Sequence, residues 1–128
     1  MTISTGTTTC TAVVSDGVVE AAGVRDTLPV GDPAEPGNRW TAERLYAASL
    51  ATALRVALVR LGAERGADLT GVAVRADIST GELGGVEQVL DVTLRVVEPD
   101  DGPPLDRELV ESAAARCPLV AGWRVDVG

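Results

Sequence analysis

The chain has 128 residues, about one ordinary domain and too short for two well-filled cores, so a single domain over residues 1–128 is expected. Apolar residues make up 45% and charged residues 23%, a balance that supports a packed interior and excludes wholesale disorder. The net charge is −8, every basic residue is arginine and histidine is absent, which argues against a nucleic-acid partner and excludes Ser-His-Asp and Cys-His catalysis.

Residues 1–9 carry neither a basic segment nor an apolar run, so they do not read as a signal peptide. Thr11–Val14 and Val18–Ala22 flank Ser15-Asp16-Gly17, and Asp-Gly between β-branched runs predicts a hairpin. Val30 to Asn38 holds two glycines and two prolines and reads as a loop. A helix follows, with Thr41 as N-cap, Glu43 in the first turn and Gly62 as its stop. No residue between Arg44 and Arg55 is charged, and Leu45, Tyr46, Leu50, Ala53 and Leu54 spread around the cylinder, which predicts a central helix buried on most faces.

Val72, Val74, Ala76 and Ile78 alternate with Arg75 and Asp77, and Leu90, Val92, Leu94 and Val96 alternate with Asp91, Thr93 and Arg95. Both patterns predict half-buried antiparallel strands, joined through the glycines of residues 80–85. That turn opens no helix and is not a phosphate loop. A second helix carries Leu105, Leu109 and Ala113, its stripe continuing to Cys117 before Pro118 stops it, and a last strand ends the pattern at Val127. The order ββ-α-ββ-α-β predicts an α+β fold.

Trp40, Tyr46 and Trp123 are the only aromatic residues, so the interior must be built from Val, Leu and Ala. Small side chains bury little area each, which favours an oligomer over a lone monomer. Two cysteines do not make a secreted disulfide framework, and the longest uncharged apolar stretch, Leu45 to Leu54, is too short to span a bilayer. A soluble cytoplasmic protein is expected, with no membrane partner, no metal and no cofactor.

Thr41 to Leu54, Thr-Ala-Glu-Arg-Leu-Tyr-Ala-Ala-Ser-Leu-Ala-Thr-Ala-Leu, resembles the central-helix signature of OsmC/Ohr hydroperoxide reductases, Asn-Pro-Glu-Gln-Leu-Phe-Ala-Ala-Gly-Tyr-Ala-Ala-Cys-Phe. Glu43, Leu45, Ala47, Ala48 and Ala51 match as they stand. Ser15-Asp16-Gly17-Val18-Val19 resembles the family's Ser-Asp-Gly-Val-Leu, and the Cys117-Pro118 segment with the strand after it resembles the second-cysteine helix and last strand. The resemblance covers nearly the whole chain. It implies antiparallel sheets packed on a buried central helix, in an intertwined homodimer with two interface sites. In that family a thiolate on the central helix attacks an organic hydroperoxide, an early-loop arginine and the helix glutamate activate it, and a second cysteine resolves the sulfenic acid.

Carried over by position, the peroxidatic cysteine falls on Ala53 and the activating arginine near Thr8, with no arginine before Arg25; Glu43 and Cys117 keep their family identities. The resemblance thus implies a protein that has lost thiol peroxidase activity and binds a small apolar ligand, or serves as an accessory protein, at the interface pocket. The alternative is an enzyme with repurposed chemistry, residual hydroperoxide reduction included. Glu43 would then act as acid or base, or Cys117 or Cys10 as the thiol. Cys117 reads either as a redox thiol or as an inert buried one, and Glu43 either as a retained acid/base or as a helix-dipole partner. Trp40 and Tyr46 either line the pocket with Leu50, Ala53, Cys10 and Thr8, or anchor the dimer.

Overall fold

The computed structural model describes residues 6, 9–32, 34, 38–100, 104–120 and 122–128. The chain divides into two compact units, Met1–Leu45 and Tyr46–Gly128.

In the first unit, β1 (Ala12–Ser15) pairs antiparallel with β2 (Val18–Ala21), and β2 with β3 (Leu28–Pro29), in the order β1-β2-β3. The hairpin turns on Asp16 and Gly17, both at positive φ (53° and 75°), the backbone that a two-residue primed turn requires. β3 has no counterpart in the sequence reading: two residues are too few to alternate, and Pro29 carries no N–H for a ladder. Beyond it, Val30 forms a parallel bridge with Trp40, through Gly31 N–H to Trp40 O and Trp40 N–H to Pro29 O at 3.0 and 2.9 Å. This bridge brings the chain to α1 (Ala42–Glu64). The Thr41 hydroxyl caps the helix, accepting from Arg44 N–H at 3.2 Å as its sequence position predicts.

In the second unit α1 continues to Glu64, past the predicted stop. Gly62 lies buried inside the helix, and the end falls at Gly66, with φ 77°. There Ala67 N–H bonds Gly62 O (2.7 Å) and Gly66 N–H bonds Ala63 O (3.2 Å), the paired bonds of a Schellman cap. The expectation of a helix buried on most faces is corrected within one chain. Leu50, Leu54, Leu58 and Leu61 form a buried stripe, while Tyr46 and Val56 are 36% and 39% exposed on the rest of the surface. α1 is also long and apolar enough, by length and composition, to cross a membrane, a criterion that core helices of soluble proteins meet equally.

The second sheet holds β4 (Ala73–Leu83), β5 (Val86–Val97) and β6 (Arg124–Val127) in that order, with β4 antiparallel to β5. Val74, Ala76 and Ile78 turn inward as the alternation predicts, and Val92, Leu94 and Val96 are fully buried. Leu90 breaks the pattern at 52% exposure. The register jumps from Ser79↔Asp91 to Thr80↔Val89, so Leu90 is the unpaired residue of a β-bulge, which turns the hairpin end away from the core. α2 (Arg107–Ala115) is shorter than its apolar stripe suggests. Asp106 caps its start by accepting from Glu108 N–H, leaving Leu105 before the helix, and Cys117 lies one residue past the C-cap Arg116. Because α2 crosses between them, β6 (Arg124–Val127) joins β5 in parallel rather than in the antiparallel sense expected. One cluster built from α1, β5, α2 and the Cys117–Val120 turn forms this unit's core.

Candidate functional site

The first unit carries Trp40, Glu43 and Cys10. Trp40 is 40% exposed although its backbone is held by the bridge to Val30. Glu43, in the first turn of α1, is exposed and forms no ion pair with a described residue. Cys10 is an exposed free thiol ahead of β1. Thr8 lies outside the described residues.

Two arginines that the sequence reading passed over stand beside Trp40. Arg39 Nη1 donates to Gly17 O at 3.1 Å and to Val30 O at 3.5 Å, and Arg44 Nη1 donates to Arg39 O at 3.1 Å. Asn38, Arg39, Trp40 and Arg44 line a concavity of about 230 Å³. Both arginines flank Trp40-Thr41 at the helix entry in the sequence, well after the segment near Thr8 where the resemblance implies an activating arginine.

In the second unit Tyr46, Leu50 and Ala53 follow one another at helical spacing on α1. Leu50 is 1% exposed and belongs to the core cluster, Ala53 is half-buried against that cluster, and Tyr46 stands at the exposed margin. Cys117 is a free thiol, 7% exposed, in the same cluster. The fold thus gathers Leu50, Ala53 and Cys117 around one apolar interior. Ala53 offers a methyl group, so nothing at that position can attack an electrophile.

Exposed ion pairs of this unit lie along the sheet, as between Arg124 and Asp91, and at the ends of the two helices. Arg65 Nη1 meets Glu108 Oε2 at 2.6 Å and Arg116 Nη1 meets Glu64 Oε2 at 3.0 Å, pinning α1 to α2 at the surface. The hydrogen bonds from Arg65 and Ser112 hold the Glu108 carboxyl below its ordinary range, and Thr70 does the same for Asp68. These shifts belong to exposed helix and loop contacts, remote in character from the apolar cluster. Among the described residues no group of three or more Cys, Asp or Glu is placed to hold a metal ion.

No protein-family model matches the sequence, and no curated protein does. Solved structures match over nearly the full length. An organic hydroperoxide resistance protein from Vibrio cholerae aligns with a TM-score of 0.76 at 24% identity, over 96% of this chain and 93% of that one. One from Elizabethkingia anophelis aligns at 0.75 with 19% identity, over 98% and 99%. The organic hydroperoxide resistance protein OsmC from Legionella pneumophila aligns at 0.71 with 20% identity, over 98% and 99%. The chain has the OsmC/Ohr fold, an α+β architecture. That is the fold which the helix, hairpin and second-cysteine motifs resemble.

Proposed function

We propose that this protein has left thiol-dependent hydroperoxide reduction. It serves as a soluble, cytoplasmic binding or accessory protein built on one OsmC/Ohr-like domain of residues 1–128. Its ligand is a small apolar molecule held at a homodimer interface, with no metal, cofactor, nucleic acid or membrane involved. The observation that carries the reading is Ala53, a half-buried methyl where the resembled motif has its attacking sulfur. A methyl group forms no sulfenic acid, so Cys117 has nothing to resolve and stays a packed core thiol, which its 7% exposure supports. The V. cholerae structure has captopril bound in one of its active sites, so this fold accommodates small molecules there.

The test is turnover of cumene hydroperoxide with a dithiol reductant. Wild type is expected to show none above the reductant's own rate. The Ala53→Cys variant is expected to be oxidised by hydroperoxide and labelled by a sulfenic-acid trap. Robust wild-type turnover that disappears in Cys117→Ser would replace this reading with the alternative of a repurposed thiol enzyme. If turnover instead disappears in Glu43→Gln, that carboxylate is the working acid or base.

A further inference from the structure

We infer that the concavity at residues 38–44 is a binding site for a small planar carboxylate, a function additional to the apolar-ligand reading and independent of it. Its volume of about 230 Å³ falls below the roughly 300–1,000 Å³ typical of pockets for drug-sized ligands, so the occupant is small. Its lining is two guanidiniums, one indole and one primary amide. A guanidinium matches a carboxylate through two parallel N–H bonds, and an indole face suits a flat apolar group.

The lining is pre-positioned by backbone contacts. Arg39 is tied to the carbonyls of Gly17 and Val30, Trp40 to the strand bridge, and Arg44 to the carbonyl of Arg39. Gly17 belongs to this arrangement, since a Cβ there would stand 3.0 Å from Arg39 Nη1. Side chains ordered beforehand lose little entropy when a ligand arrives. The charge-bearing contact falls to Arg44, which spends one N–H on Arg39 O and forms no ion pair with a described residue. Glu43 precedes it directly, and adjacent residues on a helix do not face each other, so that carboxylate leaves the Arg44 fork open. In a chain of net charge −8, the Arg44 fork beside an indole makes a local site for an anion, and the flat wall selects an organic one.

The experiment uses the full chain carrying Trp123→Phe, so that tryptophan emission reports Trp40 alone. Benzoate is titrated against benzyl alcohol, which keeps the ring without the charge, and inorganic phosphate, which keeps the charge without the ring. A saturable change with benzoate is expected, weakened by added salt and absent with either control at equal concentration. Arg44→Gln should weaken benzoate binding about tenfold, the usual effect of losing a charge-assisted hydrogen bond. Arg44→Lys, which keeps charge but loses the fork, should fall between the two. Equal responses to benzoate and benzyl alcohol, equal responses to benzoate and phosphate, or unchanged affinity in Arg44→Gln would each overturn the proposal. Hydroperoxide turnover is read separately, so failure here leaves the loss-of-peroxidase reading standing, and the reverse also holds.

Discussion

Gly62 shows how one missing methyl shapes the end of α1. A Cβ on it would stand 2.8 Å from Leu69 Cγ, 2.9 Å from Leu69 Cδ1 and 3.1 Å from the Ala67 carbonyl. Leu69 is half-buried against the core and Ala67 belongs to the helix cap, so neither yields freely. Gly62→Ala is therefore expected to lower unfolding stability by about 1–3 kcal/mol despite alanine's better helix propensity. At Gly81 the nearest atom is closer still, Leu90 Cδ1 at 2.6 Å, but that side chain is 52% exposed and can swing into solvent. Gly81→Ala is expected to stay within about 0.5 kcal/mol of wild type. Urea denaturation of both variants checks the pair; equal losses would mean that Leu90 is held as firmly as Leu69. The sequence marked Gly62 as a stop because glycine is a common helix terminator, and nothing local distinguishes a terminating glycine from one under a neighbour's side chain.

At the scale of elements, the contact of α1 with α2 combines a buried apolar stripe with two exposed ion pairs. Exposed pairs add little each, but the Glu108 pair is responsive to pH. A carboxylate whose pKa is lower in the folded than in the unfolded chain adds stability above its unfolded value and loses it as pH falls through its folded value. Glu108→Gln is thus expected to melt slightly below wild type at neutral pH. That gap should close as pH drops below the ordinary glutamate value of 4.5. Calorimetric scans across that range test it, and a gap that widens in acid would contradict the assignment. Period-two and period-3.6 patterns made both helices, the Asp16-Gly17 hairpin and the inner faces of β4 and β5 legible in the sequence. The failures had long-range causes. The bulge at Leu90 depends on register with β4, the parallel sense of β6 on the crossover of α2, and β3 on pairing with β2. At the candidate site, the motifs pointed to Glu43 and Ala53 on α1 and to Cys117, which falls just past the end of α2 rather than on it. Arg39 and Arg44 escaped them because the resembled helix motif begins after Arg39 and carries glutamine, not arginine, at the position of Arg44.

For the molecule as a whole, a single copy leaves much apolar surface uncovered. Tyr46 and Val56 on α1 are more than a third exposed, as are Leu83, Val86, Val89 and Leu90 at the far end of the β4–β5 hairpin. Soluble monomers rarely leave large contiguous apolar patches open, and a specific, stable protein–protein interface covers about 1,200–2,000 Å². Light scattering is expected to give wild type at twice the chain mass and Val56→Asp at the single-chain mass, since a carboxylate cannot be buried there without a partner. Wild type at the single-chain mass would remove the interface on which the apolar-ligand proposal depends.

The parallel seating of β6 has a consequence for how the second unit assembles. Until α2 has traversed the face of the sheet, the outer margin of β5 stands with vacant amides and carbonyls beside Val92, Leu94 and Val96. Such a margin can template strands from other molecules. Dilute conditions during renaturation therefore favour the native route, because the crossover competes with encounters whose frequency rises with protein concentration.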